Sequence, residues 1–439
     1  MSQTHTHEPG TARFPWAGMI ALAAAAFLAV TSETLPTGLL PELASGLHVS
    51  TPQAGLLVSV YAFTVVVAAT PVTALTRRIP RRALVVGVII VIGLSSLLLA
   101  IAPNYAVAVV ARITGGVAHG VFWAVAGAYA GHIVPSHQLA RAVSITSGGV
   151  SLALILGSPM ATILGHAAGW RVAFAVVGCL LVVGSLVVGT MLPRANVMGV
   201  GTATAGIPTL TGSVPAVTAP IAVVPRSKRG PRGRDASIRP VIVICVLTGT
   251  IVLGSMTLNA YVAPFVSDAM GLGIGAVGPL LFVGGMMGAV ATVLVGVWLG
   301  RHPARAIAAA LVLTTVGVAI LAVVPGVTPV ALGGFALWAL AFGCLPPLLQ
   351  TRLLQAASAR FRDTASALYT TAFNVGIGGG AVVGGAIYAV WGIDAVPWAA
   401  LSVLVLSVIM LAVAGRVRSG SSVPAADRDT EVRAGTEPA

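Results

Sequence analysis

The sequence predicts an all-α integral membrane protein whose twelve transmembrane helices form two six-helix halves. Three observations lead there. Twelve apolar runs each approach the roughly 20 residues a helix needs to cross a hydrocarbon core. A basic, Pro- and Gly-rich segment, 193–239, divides them six and six. Lys and Arg crowd alternate connections, nearly all on one side of the runs. In lipid the backbone must satisfy its own polar groups, so each run is helical.

Composition supports this reading. The 439 residues are 57% hydrophobic and only 8% charged, with mean hydropathy +0.99. An ordinary soluble domain carries about 25% charged residues. The formal charge of +13 and pI near 11.1 raise the question of nucleic acid. No helix or strand carries a basic stripe, however; the arginines collect in short loops, and a nucleic-acid partner is set aside. The expected partners are the bilayer, a small-molecule substrate and protons, with the chain acting as a monomer. Cys179, Cys245 and Cys344 lie inside apolar runs and read as small core residues. They offer no disulfide framework or metal-ligand spacing, so no metal or cofactor is expected.

The runs are, in order, 16–40, 53–75, 83–102, 105–133, 143–166, 172–192, 240–266, 275–299, 306–324, 328–350, 364–390 and 396–415. The first follows Arg13 and is Ala-rich, like a signal peptide. It exceeds the 7–15-residue signal core, and its removal would leave eleven spans and break the charge alternation. The segments are then a tail 1–15, a bundle 16–192, a basic linker 193–239, a second bundle 240–415 and a polar tail 416–439. The linker is broken by Pro208, Pro215, Pro220 and Pro225 and reads as a strip lying on the anionic inner leaflet. Lys and Arg favour cytoplasmic loops. With the N-terminus inside, nearly all of the 24 basic residues fall inside; Arg171 is outside and Arg112 within a span. Both termini are therefore expected in the cytoplasm and the chain in the inner, cytoplasmic membrane. Trp16, Tyr105, Trp170, Trp298 and Trp391 lie near span ends, where aromatic belts form.

The two halves repeat one another. Arg77-Arg78-Ile79-Pro80-Arg81-Arg82 follows the second span, and Arg301-His302-Pro303-Ala304-Arg305 the eighth. The fifth and eleventh spans are both Gly-rich. Parallel six-helix halves rocking about a central site are one way to build alternating access. The chain here resembles the major facilitator superfamily over nearly its whole length. That family's signature loop, Gly-x-x-x-Asp-Arg-x-Gly-Arg-Arg, stands here as Thr73 to Arg82, with Thr73, Arg77 and Pro80 in place of its Gly, Asp and Gly. Four phrases are similar to the twelve-span drug:proton antiporter branch and its arabinose-efflux-permease-like members. They are Ser32 to Pro41, Ala118 to Trp123, Gly169-Trp170-Arg171 and Ala372 to Gly376. The resemblance implies the major facilitator fold, a transporter rather than an enzyme, and Arg77, Arg78, Arg81, Arg82, Arg301 and Arg305 as the cytoplasmic gating loops.

Only Glu33 and Arg112 carry formal charge deep within the spans. A charge in the bilayer costs a few kcal/mol and needs a partner or a watery cavity. Each lies seven residues from a span end, ~10 Å deep at ~1.5 Å per residue, so the two can meet. Glu33 is the expected proton carrier, Arg112 its tuning charge, and a static ion pair the competing structural reading. His119 and Trp123 follow Arg112 at spacings that keep all three on one helical face. His119 is a candidate proton relay or a neutral packing histidine; Trp123 is a candidate cargo-stacking or packing aromatic. Asn259 and Tyr261 of span seven and Tyr369, Phe373 and Asn374 of span eleven are the expected cavity groups of the second half. Without an ATP-binding loop, transport must draw on a gradient. The expected function is proton-coupled efflux of small molecules, a drug, sugar or related metabolite. An uncoupled facilitator or importer is the alternative, and a non-transporting membrane sensor a remote one.

Overall fold

The computed structural model describes residues 14–76, 79–133, 139–192, 237–358 and 361–419. Expectations for the N-terminal tail to residue 13, Arg77, Arg78, the linker 193–236 and the tail beyond 419 lie outside the described residues. The described chain is helical and contains no strand. Twelve of its helices are long and apolar enough to cross a membrane.

The first half holds α1 (Trp16–Gly38), the short α2 (Leu40–Gly46), α3 (Thr51–Leu75), α4 (Arg81–Ala100), α5 (Tyr105–Ile133), α6 (Leu139–Leu152), α7 (Ser158–Ala168) and α8 (Trp170–Met191). The second holds α9 (Ile238–Asn259), the one-turn α10 (Val262–Pro264), α11 (Val277–Val297), α12 (Pro303–Val323), α13 (Thr328–Ala356), α14 (Arg362–Trp391) and α15 (Val396–Ser419). Local chemistry sets the breaks. Ser50 and Gln53 form a reciprocal capping box that starts α3. Gly169 (φ 95°) separates α7 from α8, where an L side chain would be strained.

Two spans differ from their expected form. The fifth is α6 and α7 joined by a π-helical turn, Ala153–Gly157, immediately before Pro159. The seventh was expected to run unbroken over 240–266. Instead α9 stops at Asn259, and α10 and a π-helical turn, Phe265–Ala269, carry the chain onward around Pro264. Proline cannot supply the amide that a continuous helix requires. Two aromatic and cysteine expectations also change. Trp170 is buried beside Phe174 rather than facing lipid, and Cys179 is exposed rather than in the core.

Successive spans traverse the bundle in alternate directions. Arg81, Arg82, Arg239, Arg301, Arg305, Arg352 and Arg362 thus share one end, the basic end, and Arg171 lies at the other, the far end. Packing follows a two-fold scheme. α3–α5, α4–α5, α4–α8 and α1–α8 in the first half are matched by α11–α13, α12–α13, α12–α15 and α9–α15 in the second. The halves meet along two seams, α3 against α14 and α7 against α11. These seams exchange under the same scheme, since α3 corresponds to α11 and α7 to α14.

Candidate functional site

Between the halves lies a cavity of about 290 Å³. Its wall from the first half carries Glu33, Thr34, Thr37, Tyr61, Arg112 and Ser158. The wall from the second half carries no formal charge; Asn259, Phe335, Trp338, Phe342 and Phe373 face the space. Apolar cavities with few polar groups suit small molecules.

The far end is closed. Tyr261, fully buried, sends its hydroxyl from the end of α9 to the carbonyl of Ala381 in α14 at 2.9 Å and to that of Pro52 in α3 at 3.5 Å. Its ring fills a socket made by Gly55, Gly384 and Gly385, and a methyl group on any of the three would collide with it. Below it Ser59 donates to the Gly378 carbonyl at 2.9 Å, and on the other seam Gly285 packs directly on the backbone of Leu154 and Ile155. From this seal the cavity lining extends to Thr292, Gly343 and Pro346, toward the basic end.

Proline explains where Arg112 goes. In α1 the amide of residue 36 would ordinarily bond the Ser32 carbonyl, but Pro36 has none. Arg112 supplies the missing donor at 3.4 Å. It also donates to the carbonyls of Glu33 (3.2 Å) and Leu57 (3.2 Å), and its guanidinium lies 4.0 Å over the Tyr61 ring. Among the described residues no carboxylate pairs with Arg112. The expected meeting of Glu33 and Arg112 therefore occurs through the Glu33 main chain.

The Glu33 carboxylate turns instead to His119, Oε2 to Nε2 at 3.2 Å. Trp123 donates its indole N–H to that same Nε2 at 2.7 Å. An imidazole nitrogen holds either a lone pair or a hydrogen. With a lone pair Nε2 serves Trp123; with a hydrogen it serves Glu33. Proton state thus selects the partner. Tyr61 packs edge-on to His119, with centroids 5.4 Å apart.

Not every expected residue lines the cavity. Glu33, Arg112, Asn259 and Phe373 do. His119 and Trp123 stand behind the wall, buried. Tyr261 belongs to the far-end seal. Tyr369 is fully buried with its hydroxyl on the Pro346 carbonyl, and Asn374 bonds the Thr370 carbonyl in its own helix. These three and Trp123 were expected in the cavity and are not among its lining residues. Of the loop arginines, Arg82 bonds the Gly189 carbonyl of α8, while Arg301 and Arg305 are exposed. Sequence reasoning missed Tyr61, the aromatic group Phe335, Trp338 and Phe342, and a second acid–histidine pair described below. An aromatic inside an apolar run gives no pattern that separates cavity from core.

The Major Facilitator Superfamily model matches residues 22–378 and 247–436. The chain belongs to the major facilitator superfamily. As a member it is a membrane transporter of small molecules. Among solved structures, a bacterial homolog of the human lysosomal transporter Spinster, inward-facing and unoccupied, is similar at 15% identity with TM-score 0.71. The match covers 95% of this chain and 100% of that one. The same homolog, inward-facing and occupied, gives TM-score 0.68 at 14% identity, covering 93% and 98%. The human organic anion transporter MFSD10 (TETRAN) gives TM-score 0.63 at 15% identity, covering 92% and 100%. At these identities the likeness concerns the fold.

Proposed function

We propose that this transporter exports small, largely apolar molecules from the cytoplasm in exchange for protons. The contact of Glu33 with His119 on the cavity wall, beside Arg112, carries the reading. With neither group of the pair protonated, Glu33 balances Arg112 and the wall is neutral overall. One added proton, on either partner, leaves a net positive charge. An apolar cargo that displaces water lowers the local dielectric and makes that charge more costly. Cargo and proton therefore oppose one another at a single wall, which is the thermodynamic requirement for antiport. The bias of Lys and Arg supports a basic end that faces the cytoplasm. With the far end sealed, the state described here loads cargo from that side. Rocking about the α3–α14 and α7–α11 seams would then expose the wall outward, where protons displace the cargo.

Everted membrane vesicles with an imposed pH gradient test this reading. Wild type and Glu33→Gln would be challenged with drugs, sugars and nucleosides. Proton efflux on adding a compound, present in wild type and lost in Glu33→Gln, is the expected result. Labelled compound that equilibrates without responding to the gradient would favour an uncoupled facilitator.

A further inference from the structure

A second acid–histidine pair lies at the far end. His166 of α7 and Glu42 of α2 meet, Nδ1 to Oε1, at 2.6 Å. The remaining atoms of the pair, Glu42 Oε2 and His166 Nε2, are buried and have no hydrogen-bond partner in the protein. Four residues down α7, on the same face, the Thr162 hydroxyl is also buried and unpartnered. Four further down, Ser158 lines the cavity beside Thr37, Thr34 and Glu33. Glu33 Oε2, 3.2 Å from His119 Nε2, is likewise buried and makes no hydrogen bond. Buried polar groups are ordinarily satisfied, and each exception needs a reason. Here they form a file from the far end to the cavity wall along the contact of α1 with α7.

We propose that this file is the path by which protons from the far side reach Glu33, with Glu42–His166 as its outer port. The proposal rests on the proton-coupling role given to Glu33 above. A proton taken up by the pair passes to the Thr162 oxygen, which releases its own hydrogen onward through water to the Glu33 carboxylate. One proton enters for each delivered, and no electron moves. Of the other ionisable groups at the far end, Arg171 is held by the carbonyls of Gly46, Ala100 and Ala102 and stacks on Trp170, Asp268 accepts the Ser267 hydroxyl, and His48 lies within the loop between α2 and α3. At the inner end Glu33 meets His119, with Arg112 and Tyr61 adjacent.

A continuous path in a state whose cavity reaches the opposite side would leak protons. The file is pinched at one point. Thr162 presses against Gly38 of α1, so closely that a methyl group on Gly38 would collide with it. Thr162 is then both the carrier and the shutter, and separation of α1 from α7 during rocking would open it.

The test needs no cargo. Purified protein is reconstituted into liposomes with a trapped pH dye, and a potassium diffusion potential draws protons inward. Wild type should be tight. Thr162→Ala should admit protons about tenfold faster, because the side chain that pinches the file against Gly38 is gone and water filling its place relays the proton in the hydroxyl's stead. Adding His166→Asn or Glu42→Gln should restore tightness. Thr162→Ser, which removes only the methyl, serves if the alanine variant does not assemble. A Thr162 variant as tight as wild type, or a leak unchanged by His166→Asn, overturns the path. If the leak survives Glu33→Gln, the path does not end at Glu33 and this proposal falls; the coupling role of Glu33 is then judged separately by the vesicle assay.

Discussion

Arg112 bonds the Ser32 carbonyl in place of the amide that Pro36 lacks. A proline kink and a buried cation in different helices thus satisfy one another. Arg112→Lys loses the planar fork that reaches three carbonyls and should cost about 2 kcal/mol. Pro36→Ala returns an amide to Ser32 and makes that bond redundant. The two substitutions together should then cost less than the sum of their separate costs. Unfolding of all four proteins in graded denaturing detergent gives the cycle; strict additivity would refute the coupling.

The contest for His119 Nε2 has an optical signature. A protein retaining Trp123 as its sole tryptophan should change emission when His119→Phe removes the nitrogen that accepts its indole N–H. The same protein bearing Glu33→Gln, which leaves that acceptor in place, should keep the parent's emission. Emission unchanged by His119→Phe would refute the bond.

Tyr261 sits in a socket with no room for a larger residue at Gly55. Gly55→Val should therefore keep the far end from closing. A cysteine at Thr37, with the three native cysteines replaced by serine, would report it through labelling by an impermeant maleimide added from outside. Fast labelling in the valine variant and slow labelling in its parent is the expected pattern. Tyr261→Phe removes only the hydroxyl bonds and should cost about 1 kcal/mol, a partial shift in the same direction.

The architecture was legible because lipid leaves few choices: length, apolarity and the placement of arginine suffice for twelve helices. The same logic singled out Glu33 and Arg112, since a charge in the bilayer is rare and costly. It did not reveal how they meet, because helical depth says nothing of whether a side chain finds a carboxylate or a carbonyl. Tyr261, Tyr369 and Asn374 illustrate the other shortfall. Polar groups in a span must satisfy themselves somewhere, and only the fold shows that these bond backbone carbonyls rather than face cargo. Glu42 and His166 escaped notice because each sits near a helix end, where an ionisable residue is unremarkable alone.

All formal charge on the cavity belongs to the first six helices, while the second six present a neutral aromatic face. Under the proposed coupling, energy transduction and molecular recognition are lodged on separate bodies. Substitutions at Phe335, Trp338 or Phe342 could retune what is carried while the proton stoichiometry stays fixed. Such a machine can acquire new cargo without relearning how to be driven.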